Sequence, residues 1–514
     1  MVEYKVLITT SGIGRRLGKL TDFTNKALIR VGDKPAISHI IEHYPKDTKF
    51  VITLGHYGNH IKDFLNLAYP DRKFEFVKID KYKGPGSSLL YSISKTKSQL
   101  QCPFIFHASD TILTSKDSLP DLKYNWGAGA FKEETSQYRT LLITNNKISK
   151  INDKGELNFD YSYIGLCGIK DYKEFWKNLE LILNESPQND TLSDVHVINE
   201  MLKVYKFNFH KIDTWLDIGN TSELQKTRKH FNNEIEVLDK KDESIFMFED
   251  FVIKFFSNSK ISQNRVKRAK KLKDLVPEII DSTKNFYKYK KAKGNLFSKS
   301  VNQKTFNSFL IWSKNNLWNP SKVKNFPDKC YDFYVTKSKK RILQYLNGKP
   351  DKEEYINGEL IPSINEIFNQ IDFEWLCNGI PSRFHGDFIL DNIIETNEGF
   401  CLIDWRQDFA GELEIGDIYY DLAKLNHNLI INHGIVDQKQ FDPSLKNCYI
   451  LCNSTLVKCR EILHKFIVEN GYDSKKVEIL SSIIWVNMAP LHEYPFSKFL
   501  FNFGKYNLYK CLNP

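Results

Sequence analysis

Two stretches of the sequence carry residue types that could bind and transfer phosphate groups. The first, Thr10-Ser11-Gly12-Ile13-Gly14-Arg15-Arg16-Leu17, follows an apolar run and is itself followed by Lys26. Glycines let a backbone approach a phosphate closely, and a helix that begins after them offers free N–H groups. Many strand-to-helix turns contain Gly-x-Gly, so the cations Arg16 and Lys26 behind it are what make this turn specific. The stretch predicts a phosphate-binding turn that leads into a helix.

The second stretch is Phe384-His385-Gly386-Asp387-Phe388-Ile389-Leu390-Asp391-Asn392, and Leu402-Ile403-Asp404-Trp405 follows at short range. An aspartate can orient a substrate hydroxyl and accept its proton, while carboxylate and amide oxygens can hold Mg²⁺ against ATP phosphates. Asp387, Asn392 and Asp404 supply these residue types at offsets that a random chain rarely carries. The pattern predicts phosphoryl transfer from ATP to a hydroxyl group.

Two more aspartates could hold Mg²⁺ in the first half of the chain. Asp110 ends the run His107-Ala108-Ser109-Asp110, after a predicted strand, and Asp217 lies in Trp215-Leu216-Asp217-Ile218-Gly219-Asn220. The carboxyl ends of parallel strands are where ligands bind in such sheets. A single aspartate after a strand is more often a helix cap, so position alone leaves both interpretations open.

Alternating strands and helices must position the first set of residues. Strands are predicted at Val6–Thr9, Phe50–Leu54, Phe74–Ile79 and Phe104–His107, with helices at Ala36–Glu42 and Ser87–Ser94 between them. This alternation is typical of a parallel sheet in an α/β fold.

The pattern changes after a charged stretch near residues 224–244, where we place a domain boundary. Short strands are predicted first, at Ile245–Phe248 and Phe251–Phe256, and long helical stretches follow from about Thr305 to Tyr345 and from Tyr355 to Cys377. The second half is therefore predicted to be a small mixed lobe followed by a mostly helical lobe.

The first stretch resembles the signature of nucleotidyltransferases that act on sugar phosphates and phosphocholine, in which a Gly-x-Gly-x-Arg-Leu loop precedes Thr, Pro-Lys and Lys-Pro. Asn25 replaces the usual proline before Lys26, and Thr9-Thr10-Ser11 replaces the usual alanines. The resemblance implies a Rossmann-like nucleotidyltransferase sheet. It assigns Gly12, Gly14 and Arg16 to the triphosphate, and gives Lys26 the neutralisation of phosphate charge.

The same resemblance implies three further sites. Asp110 and Asp217 would hold Mg²⁺, and Gly86 and Ser87 would contact the base and ribose of the nucleotide. The segments 163–166 and 193–196 lie where members of this family bind the acceptor phosphate.

The second stretch resembles the choline kinase and aminoglycoside phosphotransferase family, whose fold is protein-kinase-like (α+β) and two-lobed. The resemblance implies that Asp387 orients and deprotonates the hydroxyl, that Asn392 and Asp404 hold Mg²⁺, and that His385 braces the loop. Asp417, downstream, is expected to stabilise this catalytic loop.

The small lobe is less complete than the family pattern. The run Phe251-Val252-Ile253-Lys254-Phe255-Phe256 looks like the kinase strand that carries the ATP lysine, so Lys254 is the candidate. No Gly-x-Gly-x-x-Gly loop precedes it, and the next helix offers Arg265 but no glutamate before Pro277.

The two resemblances together imply a bifunctional enzyme, with a nucleotidyltransferase domain at 1–230 and a kinase domain at 240–514. Its partners would be ATP, CTP or another NTP, and a small alcohol of the choline or ethanolamine type or its phosphomonoester, with Mg²⁺ as cofactor. Products of such enzymes enter capsules, other surface glycans or phospholipids. One alternative is a sugar 1-kinase joined to a sugar-1-phosphate nucleotidyltransferase. Another is a working nucleotidyltransferase with a degenerate kinase-like binding module.

A quaternary amine would require an aromatic cage. Candidate cage residues in the helical lobe are Trp405, Trp485, Tyr494 and Phe496.

The composition of the chain bears on the expected cellular location and on the expected binding partners. The 514 residues carry a formal net charge of +10, and the strongest basic run, residues 265–273, lacks the interleaved aromatics that stack on bases. We interpret that run as a solvated helix face and expect no nucleic acid partner. The N-terminus lacks a signal-peptide pattern, no window approaches a membrane span, and the nine cysteines are scattered, so a cytoplasmic location is expected.

Overall fold

The computed structural model describes residues 3–114, 118–133, 135–231, 242–432, 441 and 447–514. It divides into two compact units, Met1–Ser259 with Asp281–Lys288, and Lys260–Ile280 with Tyr289–Pro514. Both units mix helices and strands, which confirms the α/β class predicted from the sequence. The predicted domain boundary, near residues 224–244, includes residues 232–241, which lie outside the described residues.

The first unit is built on a nine-stranded sheet. In spatial order its strands are Lys73–Lys78, Lys49–Leu54, Lys5–Thr9, Phe104–Ala108, Tyr161–Ile169, Asn125–Ala130, Phe207–Lys211, Lys147–Asn152 and Thr140–Thr144. The first four are parallel, as the alternation of strands and helices predicts. Val6, Leu7 and Ile8 are fully buried, because a central parallel strand is covered on both faces.

Helices and a small hairpin complete this unit. Its helices are Ala36–His43, Gly58–Ala68, Leu89–Ser94, Tyr172–Glu185, Asp194–Leu202 and Thr221–His230. The antiparallel strands Glu243–Met247 and Phe251–Phe256 form the hairpin. Phe246 lies 5.2 Å from Phe64, ring centre to ring centre, and Phe286 lies 6.3 Å from it. The hairpin therefore shares a hydrophobic core with the helix Gly58–Ala68.

The second unit is mostly helical. Its helices are Ser259–Leu272, Phe297–Ser300, Gln303–Asn316, Phe326–Tyr331, Lys337–Leu346, Ile364–Phe368, Phe373–Cys377, Ile418–Ile430, Ser454–Glu469, Ser474–Met488 and Phe496–Leu512. A π-helical turn, Asp332–Thr336, joins two of them. The strands Ile393–Thr396 and Gly399–Leu402 form a hairpin directly after the Asp387 segment, and Pro381–Arg383 pairs with Ile415–Asp417. Among the residues that the structure describes, no helix is long and apolar enough to cross a membrane.

One predicted helical stretch is wrong at its start. Residues 355–361 lie in an antiparallel hairpin, Glu354–Ile356 with Glu359–Ile361, and helices begin only at Ile364. Asn357 and Gly358 form the turn with φ of 53° and 81°. An Asn-Gly pair with positive φ at both residues is typical of a two-residue hairpin, and this local preference outweighs the helical spacing of the apolar residues.

Candidate active sites

The glycine loop, residues 10–17, follows the strand Lys5–Thr9. Gly14 has a φ of +74°, and a Cβ there would lie 3.1 Å from the Cβ of Lys26 and 3.1 Å from Thr21. Gly12 is exposed, with nothing within 4 Å of a Cβ. Gly14 is thus the position where a side chain would push Lys26 away. The prediction of a helix after the loop is wrong. A 3₁₀ segment, Arg15–Thr21, follows instead, and Gly18 within it has non-helical backbone angles.

Lys26 is held next to Asp110. Its Nζ lies 2.9 Å from Oδ2 of Asp110, which follows the strand Phe104–Ala108. Burial opposes ionisation of Asp110, but the charge and hydrogen bond of Lys26, together with Arg16, outweigh it and lower the pKa. The two predicted residues therefore meet, with Asp110 ionised.

Asn25, which departs from the family pattern, fixes Lys26 in place. Its side-chain amide donates to the carbonyls of Thr10 and His56, both at 2.7 Å, and its oxygen accepts the N–H of Ala27 at 2.9 Å. These three hydrogen bonds join the segments at Thr10 and His56 to Ala27, the residue after Lys26. Asn25 therefore fixes this segment, although it replaces the usual proline.

Asp217 lies close to Asp110. The strands Trp215–Asp217 and Thr111–Leu113 pair, and the N–H of Ile218 donates to the carbonyl of Asp110 at 3.1 Å. Burial, and then the charge of Asp110, raise the pKa of Asp217, against hydrogen bonds from the hydroxyl of Tyr138 and the N–H of Gly219. Two carboxylates that oppose each other's ionisation fit a shared cation.

The donor set suits Mg²⁺ in particular. The described ranges contain no group of three or more His, Cys, Asp or Glu side chains that could enclose a metal. Mg²⁺ usually keeps several waters and takes one or two protein carboxylates along with substrate phosphates. Asp110 and Asp217 match that requirement.

A cavity of roughly 210 Å³ opens beside these carboxylates. Its lining includes Arg16, Asp110, Asp217, Arg139, Lys154, Tyr163, Ser193 and Trp215. Arg139 donates to the hydroxyl of Ser193 at 2.7 Å, and Tyr163 donates to the carboxylate of Asp194 at 2.6 Å. The segments expected near the acceptor phosphate therefore border this cavity. Arg139 and Lys154 are additions that no sequence motif indicated.

Gly86 and Ser87 lie in a separate turn. Gly86 has a φ of +75° and donates its N–H to the carbonyl of Gln188 at 3.0 Å, while Ser87 donates to the carbonyl of Gly84 at 2.6 Å. Neither residue is among those lining the 210 Å³ cavity, so their contact with a base or ribose stays a prediction.

The second unit holds residues 384–392, the predicted catalytic loop, which is called the catalytic loop below. The buried carboxylate of Asp421 accepts the N–H of His385 at 2.8 Å and that of Gly386 at 2.7 Å. Asp417, which the sequence assigns to this task, instead binds the N–H groups of Ile380 and Tyr419. The predicted role of Asp417 is therefore wrong. Asp417 caps the helix Ile418–Ile430, and Asp421, one helical turn further along, binds the loop.

Asp387 points toward a cation and an amide. Its Oδ1 lies 2.7 Å from Nζ of Lys424, and Asn392 donates to its carbonyl at 2.9 Å and to its Oδ2 at 3.1 Å. Burial opposes ionisation of Asp387, as does Asp404, but Lys424 outweighs both and lowers the pKa. The loop therefore presents an ionised carboxylate, 36% of whose side chain is exposed.

The two ring nitrogens of His385 contact backbone groups, and the ring lies 5.8 Å from that of Phe388, centre to centre. Its Nε2 lies 2.9 Å from the carbonyl of Ile403, and its Nδ1 accepts the N–H of Asp387 at 3.3 Å. Burial lowers the pKa of His385 to about 4, so the ring is neutral at pH 7. This geometry is consistent with bracing the loop and gives the ring no path to a substrate proton.

Two arginines of the basic run are not solvated, contrary to the sequence interpretation. Arg268 is fully buried and donates to the carbonyls of Phe384, His385, Arg406 and Leu413. Arg265 forms an ion pair with Asp404. Buried backbone carbonyls around the catalytic loop need hydrogen-bond donors. The helix Ser259–Leu272 supplies them through Arg268, and composition alone does not predict this role.

Lys254 belongs to the first unit, and so does its acidic neighbour. Its side chain is 2% exposed, and its Nζ lies 3.8 Å from Oε1 of Glu243. Glu243 lies on the strand paired with that of Lys254. The acidic partner missing from the following helix is thus found one strand earlier in the chain.

Comparisons with known proteins cover the first half of the chain. No family model matches. A curated relative, the bifunctional protein GlmU of Methanococcus vannielii, is 26% identical over 237 residues, 44% of this chain and 54% of GlmU. The chain thus spans about half the length of the curated relative that it matches.

Solved structures give similarities over the same fraction. The CTP:phosphocholine cytidylyltransferase LicC of Streptococcus pneumoniae is 20% identical, with 45% of this chain and 100% of LicC covered and a TM-score of 0.39. The inositol-1-phosphate CTP transferase of T. maritima is 16% identical, with 44% and 96% covered and a TM-score of 0.35. Since the TM-scores lie below 0.5, the function must be inferred from the chain's own residues.

Proposed function

We propose that the first unit is a nucleotidyltransferase that joins a nucleotide to a phosphomonoester. The observation that carries this proposal is the group formed by Lys26, Asp110 and Asp217 at the carboxyl ends of strands, beside a cavity lined by cations. The nucleotide is proposed to be CTP or another NTP.

The residues fit an in-line displacement. A phosphate oxygen of the acceptor attacks the α-phosphorus of the NTP, and pyrophosphate leaves. Arg139 and Lys154 would hold the acceptor phosphate, while Arg16 and Lys26 would neutralise the triphosphate beside the glycine loop. Mg²⁺, when bound by Asp110 and Asp217, would add positive charge where negative charge builds up on the phosphates.

A second activity is proposed for the second unit, phosphorylation of a small alcohol by ATP. The specific observation is the arrangement of Asp387, Asn392 and Lys424, with Asp404 close enough to oppose ionisation of Asp387. Asp387 would orient the hydroxyl and take its proton, and Asn392 and Asp404 would hold Mg²⁺. The product of this step is the class of molecule that the first unit would consume.

The alcohol is proposed only as a class. Trp405 and Trp485, two candidates for a choline cage, are each 1% exposed and lie in the interior. A sugar hydroxyl fits the same catalytic group, so the sugar 1-kinase alternative stands beside a choline-type or ethanolamine-type alcohol. The degenerate-module alternative predicts no ATP consumption with any alcohol.

The nucleotidyltransferase proposal is tested by pyrophosphate release from CTP, UTP or dTTP with phosphocholine, phosphoethanolamine or glucose 1-phosphate. One NTP and acceptor pair should react in wild-type protein. Lys26→Met should slow it by about 10²–10³-fold, the usual cost of losing one charge-stabilising group. Lys19→Met, which removes an exposed lysine of the same segment, is the matched control. Equal rates in the two variants would contradict the assigned role of Lys26.

A further inference from the structure

A cluster of four cations includes the partner of Asp387, the proposed catalytic aspartate of the second unit. It consists of Lys337, Arg341, Arg406 and Lys424 and is called the cation cluster below. Lys337 and Arg341 lie one turn apart at the start of the helix Lys337–Leu346. Arg406 follows Asp404 by two residues, and Lys424 lies on the helix Ile418–Ile430.

The four side chains share one small region. Nζ of Lys337 lies 4.1 Å from the ring centre of Phe333, and Cζ of Arg406 lies 4.9 Å from the same centre. Lys337 also lies 5.8 Å from the ring of Tyr420, one helical turn before Lys424. Burial and then the charges of Arg406, Lys424 and Arg341 lower the pKa of Lys337, while the charge of Asp387 opposes this. The cations therefore act on one another and on Asp387.

Most of this charge has no carboxylate partner. Lys424 pairs with Asp387 at 2.7 Å. Within the described ranges no ion pair is formed by Lys337, Arg341 or Arg406, and Arg341 makes one long hydrogen bond, 3.3 Å, to Gln344. Nε of Arg406 is buried without a hydrogen-bond acceptor. Gathering like charges without counter-charges is unfavourable, so such a cluster is typical of a site that binds an anion.

We propose that the cation cluster binds an anionic group on the alcohol that the second unit phosphorylates, so that the substrate is a small hydroxy compound with a carboxylate or a phosphate. This inference rests on the kinase activity proposed above. The substrate hydroxyl oxygen forms a bond to the γ-phosphorus of ATP. The bond from that phosphorus to the bridging oxygen breaks, ADP leaves, and the hydroxyl proton passes to Asp387. The anion, held by Arg341 and Lys337, sets the position of the hydroxyl.

The same cluster disfavours a quaternary ammonium substrate. Choline carries a positive charge that would face Lys337, Arg341 and Arg406 across a partly buried surface. Like charges brought together there repel, which lowers affinity. Together with the interior positions of Trp405 and Trp485, this charge favours an anionic alcohol over choline.

The test uses the full chain, with Mg²⁺ and a non-hydrolysable ATP analogue in the nucleotide site, and four probes of similar size. These are glycerol, D-glycerate, glycerol 3-phosphate and choline, and their affinities are measured by calorimetry. We expect at least one anionic probe to bind tenfold or more tightly than glycerol and choline. The better of the two anions identifies the carboxylate or the phosphate as the preferred group.

Substitutions within and beside the cation cluster test whether the cluster binds the anionic group. Arg341→Gln should weaken binding of the anionic probe at least tenfold, and Arg341→Lys should restore part of it. Lys340→Gln, which removes an exposed charge from the neighbouring position, should have no effect. Equal effects of Arg341→Gln and Lys340→Gln, tighter binding of choline or glycerol, or no binding of either anion would overturn the inference. ATP turnover with glycerol or choline, measured in parallel, would support the proposed kinase activity even where the cation cluster does not bind an anion.

Discussion

Removal of the Lys26 charge makes a quantitative prediction for the first unit. Nζ of Lys26 lies 2.9 Å from Asp110, and the two side chains are 19% and 21% exposed. Removing one partner of a fully buried pair costs about 3–5 kcal/mol. Because water screens a pair that is one-fifth exposed, we reduce this cost to about 2 kcal/mol for Lys26→Met at neutral pH.

The cost should depend on pH, with a sign that follows from Asp110. Burial opposes ionisation of Asp110, yet Lys26 and Arg16 keep its pKa below the usual value. Such a carboxyl stabilises the fold above its unfolded pKa of about 3.9, and the stabilisation is lost as pH falls through the folded pKa. In Lys26→Met, burial and the nearby Asp217 act without the cation. The variant should be destabilised at neutral pH and relieved as Asp110 becomes protonated in acid.

Thermal melts of the full chain at about pH 7.5 and about pH 4.5 measure this difference. The transition assigned to the first unit should fall by about 4–8 °C in Lys26→Met at the higher pH, since about 1 kcal/mol shifts the midpoint of a unit this large by about 2–4 °C. The gap to wild type should narrow at the lower pH. Lys26→Arg, which keeps the charge, is the control. An equal loss at both pH values, or an equal loss in Lys26→Arg, would refute the reasoning.

Three further perturbations have expected outcomes. Gly14→Ala forces a Cβ to within 3.1 Å of Lys26 at a φ of +74° and should reduce pyrophosphate release at least tenfold, whereas Lys19→Ala, at an exposed side chain of the same segment, should not. Asp421→Asn removes a charged acceptor from two backbone N–H groups of the catalytic loop, so ATP-dependent phosphorylation should fall about tenfold or more, a loss of at least 1.4 kcal/mol. Phe64→Ala removes a fully buried ring and should destabilise the first unit by about 3–5 kcal/mol in denaturant melts, while Phe23→Ala, at an exposed ring, should cost less than about 0.5 kcal/mol.

Local patterns predicted the strands of the parallel sheet and the residues of each motif. Val6 to Thr9 is a run that only a buried central strand accommodates, and it lies within one residue of its predicted start. Lys26 and Asp110 are 84 residues apart in the chain, and the loops after two adjacent parallel strands bring them together.

Other features depend on contacts that sequence spacing does not encode. Arg268 lies in a basic run whose composition is typical of a solvated helix face. Its burial is explained by its hydrogen bonds to carbonyls in and near the catalytic loop. Lys424 and Asp421 lie more than thirty residues after the residues they bind, so these contacts depend on the folded chain. The hairpin at Asn357 and Gly358 did have a local signal, which the helical spacing of its neighbours obscured.

The central claim is that one chain makes a phosphomonoester and then couples it to a nucleotide. ³¹P NMR of the full chain with Mg²⁺, ATP, CTP and an alcohol panel that includes choline, ethanolamine, glycerol, D-glycerate and simple sugars tests it directly. We predict a phosphomonoester signal that converts to a diphosphodiester. Asp387→Asn should abolish both signals, and Asp110→Asn should leave the phosphomonoester unconverted. A diphosphodiester that forms in Asp387→Asn as fast as in wild type, or ATP that stays intact with every alcohol, would contradict the claim.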